Sequence, residues 1–312
     1  MEVELENIDC NFCNSSSSKE YDADGEWKIV ECSNCGFCYT NPRPSLEALP
    51  TYYTEEYFKD KRFVNKFYNP DGSDREVIEE FTNRVEDVET FVEKRKSVLD
   101  IGSARGGFLG VLQKRGWSVF GVEISNDAAQ IANEIGIPTY CGEYLNYEPD
   151  SKLNVICMYQ TLEHVFNPKQ VIEKAYKDLE KDGVFIVEIP NLDCFELKYS
   201  KTRKHLSYDL PRHLNHFRPK LLVHEMTKAG FEIVDVNIYP PKNLLKLMGF
   251  ISKFKNSGKN TIESNRQTDV ESKSDSLEIP LLKRNFGGLK LKFIKFYSSI
   301  FQGWRFTVVA KK

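Results

Sequence analysis

The sequence lacks the features that assign a chain to several common classes of protein. No apolar run is long enough to span a bilayer, and no cleavable signal peptide is recognised at its start. Neither sign of charge dominates: 43 Lys and Arg stand against 46 Asp and Glu, so nothing predicts a general affinity for polyanions. We therefore expect a cytoplasmic protein, with reduced cysteines, that is long enough for one large domain and a small accessory one.

A glycine-rich turn between two apolar segments is the most informative stretch. Residues 98–101 form a short apolar run bounded by turn residues, which predicts a buried parallel strand. Gly102 and Gly106 let the backbone turn sharply and pass close to a ligand before the next helix. A second strand, 118–122, ends in Glu123, which is placed to accept hydrogen bonds from both hydroxyls of a ribose. This pattern predicts an α/β unit that binds a nucleoside.

An acid before the first glycine discriminates between nucleoside cofactors. A dinucleotide-binding fold uses G-x-G-x-x-G to hold a pyrophosphate, which a carboxylate at this position would repel. Asp100 would instead attract an ammonium group, and this favours S-adenosylmethionine. Together with segments 154–165 and 182–191, the turn resembles class I S-adenosylmethionine-dependent methyltransferases of types 11 and 23. Ala104, where glycine is usual in that family, is a departure.

The resemblance implies an α/β fold, a Rossmann-like seven-stranded methyltransferase sheet in which residues 304–312 supply an antiparallel strand. It also implies a cofactor pocket in which Glu143 accepts from the adenine amino group and Tyr144 lies against the ring. A solvated acid and a surface tyrosine are the alternatives for these two. The candidate cofactor-binding residues are Asp100, Gly102, Gly106, Glu123, Glu143, Tyr144 and Gln160.

Three of the five histidines are candidate catalytic residues. His164 follows the fourth predicted strand at the ligand crevice, and imidazole is well suited to removing a proton near neutral pH. His213 and His216 lie in a long segment, 191–217, that resembles the segment over the acceptor site of related enzymes. Each could instead be a structural residue or a metal ligand. Residues 160–164 resemble the Glu-x-x-Glu-His metal cluster of small-RNA 2′-O-methyltransferases, but Gln160 stands in place of the first acid, which weakens the metal interpretation of His164.

Two C-x-x-C pairs near the N-terminus predict a structural zinc site. Each pair forms a tight turn that directs two thiolates to one point, and two pairs complete a tetrahedral site. In so short a segment the metal replaces the apolar core that the residues cannot build. The expected Zn²⁺ ligands are Cys10, Cys13, Cys32 and Cys35, whereas Cys38 is expected to pack.

These assignments divide the chain into four parts. We expect a zinc ribbon at 1–45, a helical connector or lid at 46–96, a methyltransferase core at 97–240 with 302–312, and an insertion at 241–301. The insertion is expected to be partly disordered and amphipathic, which suits a helical cap, a dimer surface or peripheral contact with the inner face of a membrane.

The predicted function is O-methylation of a saccharide, sugar nucleotide or lipid-linked glycan. The resemblance of the zinc ribbon and the following Asn-Pro-Arg-Pro to a subgroup of sugar- and glycan-modifying methyltransferases is the basis for this acceptor, and it suggests a place in polysaccharide biosynthesis. A quinone-like lipophilic acceptor is one alternative. A zinc-ribbon RNA-binding protein or RNA methyltransferase is another, although the acidic residues of 1–31 argue against a nucleic-acid partner.

Overall fold

The computed structural model describes residues 4–52, 75–92, 96–198, 201, 207–239 and 303–312. The predicted insertion at 241–301 and residues 53–74 and 93–95 of the predicted connector lie outside these residues. Within the part of the chain that is described, no helix is both long and apolar enough to cross a membrane.

The N-terminal region consists of short strands. They are β1 (Leu5–Glu6), β2 (Ser18–Asp24), β3 (Trp27–Cys32), β4 (Cys38–Thr40) and β5 (Arg43–Pro44). Strands β2, β3 and β4 form an antiparallel meander, and β1 pairs with β5. A 3-10 turn, Leu49–Tyr52, follows.

The larger region alternates strands and helices. Its helices are α1 (Arg75–Phe91), α2 (Gly107–Lys114), α3 (Asn126–Glu134), α4 (Pro168–Asp178) and α5 (Pro219–Lys228). Its strands are β6 (Ser97–Ile101), β7 (Ser118–Glu123), β8 (Thr139–Cys141), β9 (Leu153–Tyr159), β10 (Leu179–Pro190), β11 (Asn215–His216), β12 (Glu232–Ile238) and β13 (Arg305–Lys311).

Seven of these strands form one sheet in the order β12-β13-β10-β9-β6-β7-β8. Strand β13 lies between β10 and β12 and is antiparallel to both, whereas the remaining pairs are parallel. The predicted fold class is therefore confirmed, including the antiparallel strand supplied by the C-terminal residues.

The two faces of the sheet are covered by different elements. Strand β9 alternates between them: Val155 and Cys157 pack with α1 and α2, whereas Ile156 and Met158 pack with α4 and α5. This alternation follows from the period of two in a strand, and both sets are apolar because a parallel sheet is buried on both faces.

The sequence pattern predicts a helix over residues 169–180, and this prediction extends two residues too far. Helix α4 stops at Asp178, and Leu179 already pairs with Leu153 at the start of β10. The sequence predicts one long loop over residues 191–217, but the end of this segment forms β11. Asn215 pairs with Tyr39, which adds β11 to the N-terminal meander as a fourth strand.

Candidate active site

The carboxyl ends of β6, β7 and β9 meet at one edge of the sheet. Ile101 is in register with both Val122 and Met158, so the residues that follow each strand lie close together. In open α/β sheets ligands bind in the crevice outside these ends. The predicted cofactor residues Gly102, Glu123 and Gln160 occupy this edge.

Gly102 adopts a backbone conformation that other residues rarely take. Its φ is +79°, and a Cβ built on it would lie 2.3 Å from Thr161 Oγ1. Its amide donates to Val122 O at 2.8 Å, which turns the chain back toward β7. The glycine is therefore required both for the turn and for the close approach of the segment after β9.

Glu123 organises the turn through its carboxylate. One oxygen accepts from the amide of Ala104 at 2.9 Å, and the other accepts from the amide of Ser125 at 2.9 Å. Burial raises the pKa of Glu123, and the hydrogen bonds from the Ser125 and Ala104 amides oppose that rise. This contact joins the glycine-rich turn to the start of α3. A serine before the helical segment that begins at residue 126 predicts an N-cap, and Ser125 is the N-cap of α3.

Asp100 is a buried acid at the end of β6. Its side chain is 5% exposed, and its Oδ1 has no hydrogen-bond partner among the described residues. Burial raises its pKa to about 7; the Arg84 guanidinium opposes this effect and the Glu123 carboxylate adds to it. A buried polar atom without a partner is costly, so this oxygen is suited to receive a donor from a ligand.

Arg84 and Ile124 were not identified from the sequence. Arg84 lies on α1 with its guanidinium 4.5 Å from the ring centroid of Tyr159, close enough to influence Asp100. Ile124 follows Glu123 and is 66% exposed, so an apolar wall stands beside the predicted ribose site. One basic residue within a charged helix, and one apolar residue after a strand, carry no distinguishing signal in a single sequence.

The predicted adenine-side residues differ in their surroundings. Glu143 is partly exposed, directly before a 3-10 turn, Tyr144–Asn146. Tyr144 is 4% exposed, and its hydroxyl donates to Asp178 at 2.8 Å, which places it in the packing against α4. The surface-tyrosine alternative is therefore wrong, and its contact with adenine stays a prediction.

Gln160 directly follows β9 and lies in the left-handed region, with a φ of +56°. Its backbone amide donates to the carbonyl oxygen of Glu188 at 2.7 Å, which connects the turn after β9 to β10. The side chain is partly buried at the crevice edge, and its role in binding a cofactor stays a prediction.

His164 and His213 are brought together although 49 positions separate them. Their ring centroids lie 4.7 Å apart, edge to face. Burial lowers the pKa of both, and the neighbouring His164 further lowers the pKa of His213. Both rings are therefore neutral near pH 7, and His164 is the partly exposed member of the pair.

His216 is attached to the N-terminal region. It lies on β11, is 5% exposed, and its Nε2 is 3.1 Å from Thr40 Oγ1. Burial lowers its pKa to about 3. These contacts suit a residue that connects β11 to β4, and a catalytic role for it stays a prediction.

Four cysteines converge as the sequence predicts. The Sγ atoms of Cys10 and Cys35 are 3.5 Å apart, as are those of Cys13 and Cys32. A tetrahedral zinc with bonds of about 2.3 Å would hold its sulfurs about 3.8 Å apart, so the four thiols fit such a site. Cys38 is fully buried and is not part of this group.

Comparison with known proteins identifies the family. The profile of the methyltransferase-domain family matches residues 73–236, more than half of the chain. An uncharacterised protein of Methanocaldococcus jannaschii is 27% identical over 203 residues, covering 64% of this chain and 87% of that protein. The chain belongs to the methyltransferase-domain family and is a class I, S-adenosylmethionine-dependent methyltransferase.

Solved structures show the same fold. A SAM-dependent methyltransferase from Archaeoglobus fulgidus superposes with a TM-score of 0.53 at 17% identity, over 83% of this chain and 100% of that one. Phosphoethanolamine N-methyltransferase 2 of Haemonchus contortus, in complex with phosphomonomethylethanolamine and S-adenosylhomocysteine, gives 0.54 at 13% identity, over 95% and 71%.

Proposed function

We propose that this methyltransferase modifies a hydroxyl oxygen of a saccharide, sugar nucleotide or lipid-linked glycan. The observation that carries the cofactor assignment is the pair of carboxylates at adjacent strand ends, the buried Asp100 on β6 and the partly buried Glu123 on β7. One carboxylate suits an ammonium group and the other a ribose, which are the two polar ends of S-adenosylmethionine.

The chain's own groups fit this cofactor. Asp100 Oδ1 is a buried acceptor with no protein donor among the described residues, so an α-ammonium would satisfy it. The amides of Ala104 and Ser125 hold the inner side of the Glu123 carboxylate. Each carboxylate oxygen accepts more than one hydrogen bond, so the ribose hydroxyls would donate to the same oxygens.

The protein's contribution to the chemistry is alignment. When bound, S-adenosylmethionine supplies an activated methyl group, whose bond to sulfur breaks as the bond to the acceptor oxygen forms. The chain must hold the acceptor in line and exclude water, which is worth many powers of ten in effective molarity. The hydroxyl proton of the acceptor must also leave. His164 is partly exposed beside the end of β9, and we expect it to be the histidine nearest the acceptor.

We further propose that Cys10, Cys13, Cys32 and Cys35 hold one structural Zn²⁺. All four ligands would be protein thiolates, so no coordination position would remain for a substrate. The region around them packs on the core through aromatic contacts; the rings of Phe37 and Phe217, for example, are 5.5 Å apart. A metal there would stabilise both the ribbon and its contact with the core.

The saccharide acceptor rests on the resemblance of the ribbon and the Asn-Pro-Arg-Pro segment to glycan-modifying relatives. A nucleic-acid acceptor is disfavoured by charge, because the exposed strand β2 carries Glu20, Asp22 and Asp24. Carboxylates on this surface would repel phosphates.

Calorimetric titration tests the cofactor assignment. Zinc-loaded protein is titrated with S-adenosylhomocysteine and NAD, and the measurements are repeated on Glu123→Ala and on the control Glu134→Ala, an exposed acid on α3. We expect the sulfur nucleoside to bind wild type and control, Glu123→Ala to bind it at least about tenfold more weakly, and NAD not to bind. Binding of NAD alone would overturn the assignment.

The acceptor is tested separately with radiolabelled S-adenosylmethionine and panels of free saccharides, sugar nucleotides and lipid-linked glycans, beside quinones and RNA. Transfer of label to a carbohydrate hydroxyl supports the proposal. Transfer only to a quinone or to RNA would replace it with one of the alternative acceptors.

A further inference from the structure

A second group of potential metal ligands lies beside the candidate acceptor region. Glu163, His164 and His213 each offer one ligand atom, and these atoms all lie within 4.8 Å of one another. Glu163 and His213 are buried, whereas His164 is partly exposed, so the group is reachable from one side. This arrangement joins two segments that are distant along the chain.

Backbone hydrogen bonds hold these two segments in place. The carbonyl of Glu163 accepts from the amides of Leu214 at 2.8 Å and Asn215 at 3.0 Å. The side chain of Asn215 donates to Val165 O at 2.6 Å. The positions of the three candidate ligands are therefore fixed by the fold, as a binding site requires.

The tautomers of both histidines follow from their partners. His164 Nδ1 lies 2.9 Å from the carbonyl oxygen of Arg212, and His213 Nδ1 lies 3.0 Å from that of Ser207. A carbonyl only accepts, so each Nδ1 must carry the proton and each Nε2 carries the lone pair. Metal-binding histidines are commonly oriented by such a bond from the other ring nitrogen.

The surrounding charges are compatible with a cation. Asp209 Oδ2 lies 3.9 Å from His213 Nε2, and Asp209 pairs with the Arg212 side chain. The nearby guanidinium is thus paired with the Asp209 carboxylate, and the carboxylate of Glu163 contributes a negative charge to the group of candidate ligands.

We propose that Glu163, His164 and His213 bind one divalent transition-metal ion. Two imidazoles and one carboxylate form a ligand set that leaves further coordination positions open. An oxygen of the acceptor could occupy such a position and lose its proton more readily. That use of the ion rests on the proposed function, whereas the existence of the site does not.

Mn²⁺ is the probe, because it prefers nitrogen and oxygen ligands and competes poorly for the four thiolates. Zinc-loaded full-length protein is titrated, and the loss of the free-ion electron paramagnetic resonance signal gives the affinity. We expect saturable binding of a single ion. Glu163→Gln, of equal size, and His213→Gln should each weaken binding at least about tenfold. The control His224→Gln, an exposed histidine on α5, should leave it unchanged.

Pulsed resonance on the wild-type complex gives a result that does not depend on whether the variants fold. Ligated imidazole nitrogen should modulate the Mn²⁺ echo of the wild-type complex. Modulation that weakens in His213→Gln, where His164 remains as an imidazole ligand, but not in His224→Gln supports the site. Absence of saturable binding, binding without nitrogen modulation, or binding retained in both ligand variants would overturn the proposal. S-adenosylhomocysteine titrated into the same samples separates the two hypotheses: if it binds and Mn²⁺ does not, only the metal site fails.

Discussion

Replacing Asp100 by asparagine should stabilise the protein and weaken its binding of the cofactor. The acid is 5% exposed and its pKa is raised to about 7 by burial, partly opposed by Arg84. An unfolded aspartate titrates near 3.8. Between these two values the folded state binds more protons than the unfolded state, so the free energy of unfolding falls as pH rises.

The magnitude follows from the displacement of the pKa. Ionising the buried carboxyl lowers the free energy of unfolding by about 4 kcal/mol by pH 8, of which about 2–3 kcal/mol is lost between pH 5 and pH 8. Asparagine has no charge to bury, so Asp100→Asn should lack this slope. We expect the variant to unfold at a higher temperature than wild type at pH 8, with the advantage reduced to about 1.5 kcal/mol at pH 5 and absent below about pH 3.8.

Ligand binding supplies the second half of the test. An ammonium group beside Asp100 should contribute about 1.5–3 kcal/mol, so the variant should bind S-adenosylhomocysteine about 10–150-fold more weakly. 5′-Methylthioadenosine has the same adenine and ribose but no amino-acid portion, and its affinity should be unchanged. Equal loss of affinity for both nucleosides, or an unchanged pH slope in urea unfolding of the variant, would refute the reasoning.

Three further changes are predicted. Ala104 has a φ of +48°, so Ala104→Gly should raise the free energy of unfolding by up to about 1 kcal/mol in urea titrations; a decrease would show that the turn is unstrained. Cys13→Ser should release zinc to a chromogenic chelator and lower the melting temperature, whereas the exposed Cys141→Ser should do neither. Tyr144→Phe removes one of two donors to Asp178, the other being Lys174 Nζ at 3.0 Å, so we expect a loss of about 0.5–1.5 kcal/mol in stability. Cofactor affinity should be unchanged because the ring stays in place; unchanged stability would show that the Tyr144 hydrogen bond contributes nothing.

The parts of the fold that sequence reasoning predicted are those specified locally. The apolar run of β6, the acid that ends β7 and the Ser125 cap each depend on a few neighbouring residues, and the structure has all three. The end of α4 was misplaced because Leu179 satisfies its backbone by pairing with Leu153, a choice made by the sheet and not by helix propensity.

The parts that could not be predicted depend on distant pairing. Strand β11 has only two residues, and it exists because Asn215 and His216 find partners on β4. The proximity of His164 to His213 likewise depends on the path of the intervening chain, which no local pattern encodes. Residue type predicted the chemistry of each histidine, whereas its neighbours were visible only in three dimensions.

The four-stranded sheet that contains β11 has a consequence for biosynthesis. Thr40 and His216 are in contact although 176 residues separate them. At about 5–20 residues per second, a ribosome would take about 10–35 s to supply the fourth strand after it has made the first three. During this interval the nascent meander exposes an unpaired strand edge, and an early-bound metal would be the means of keeping its cysteine turns together. Deleting residues 1–45 would also strip β11 of its partner, so the ribbon should not be separable from the catalytic core.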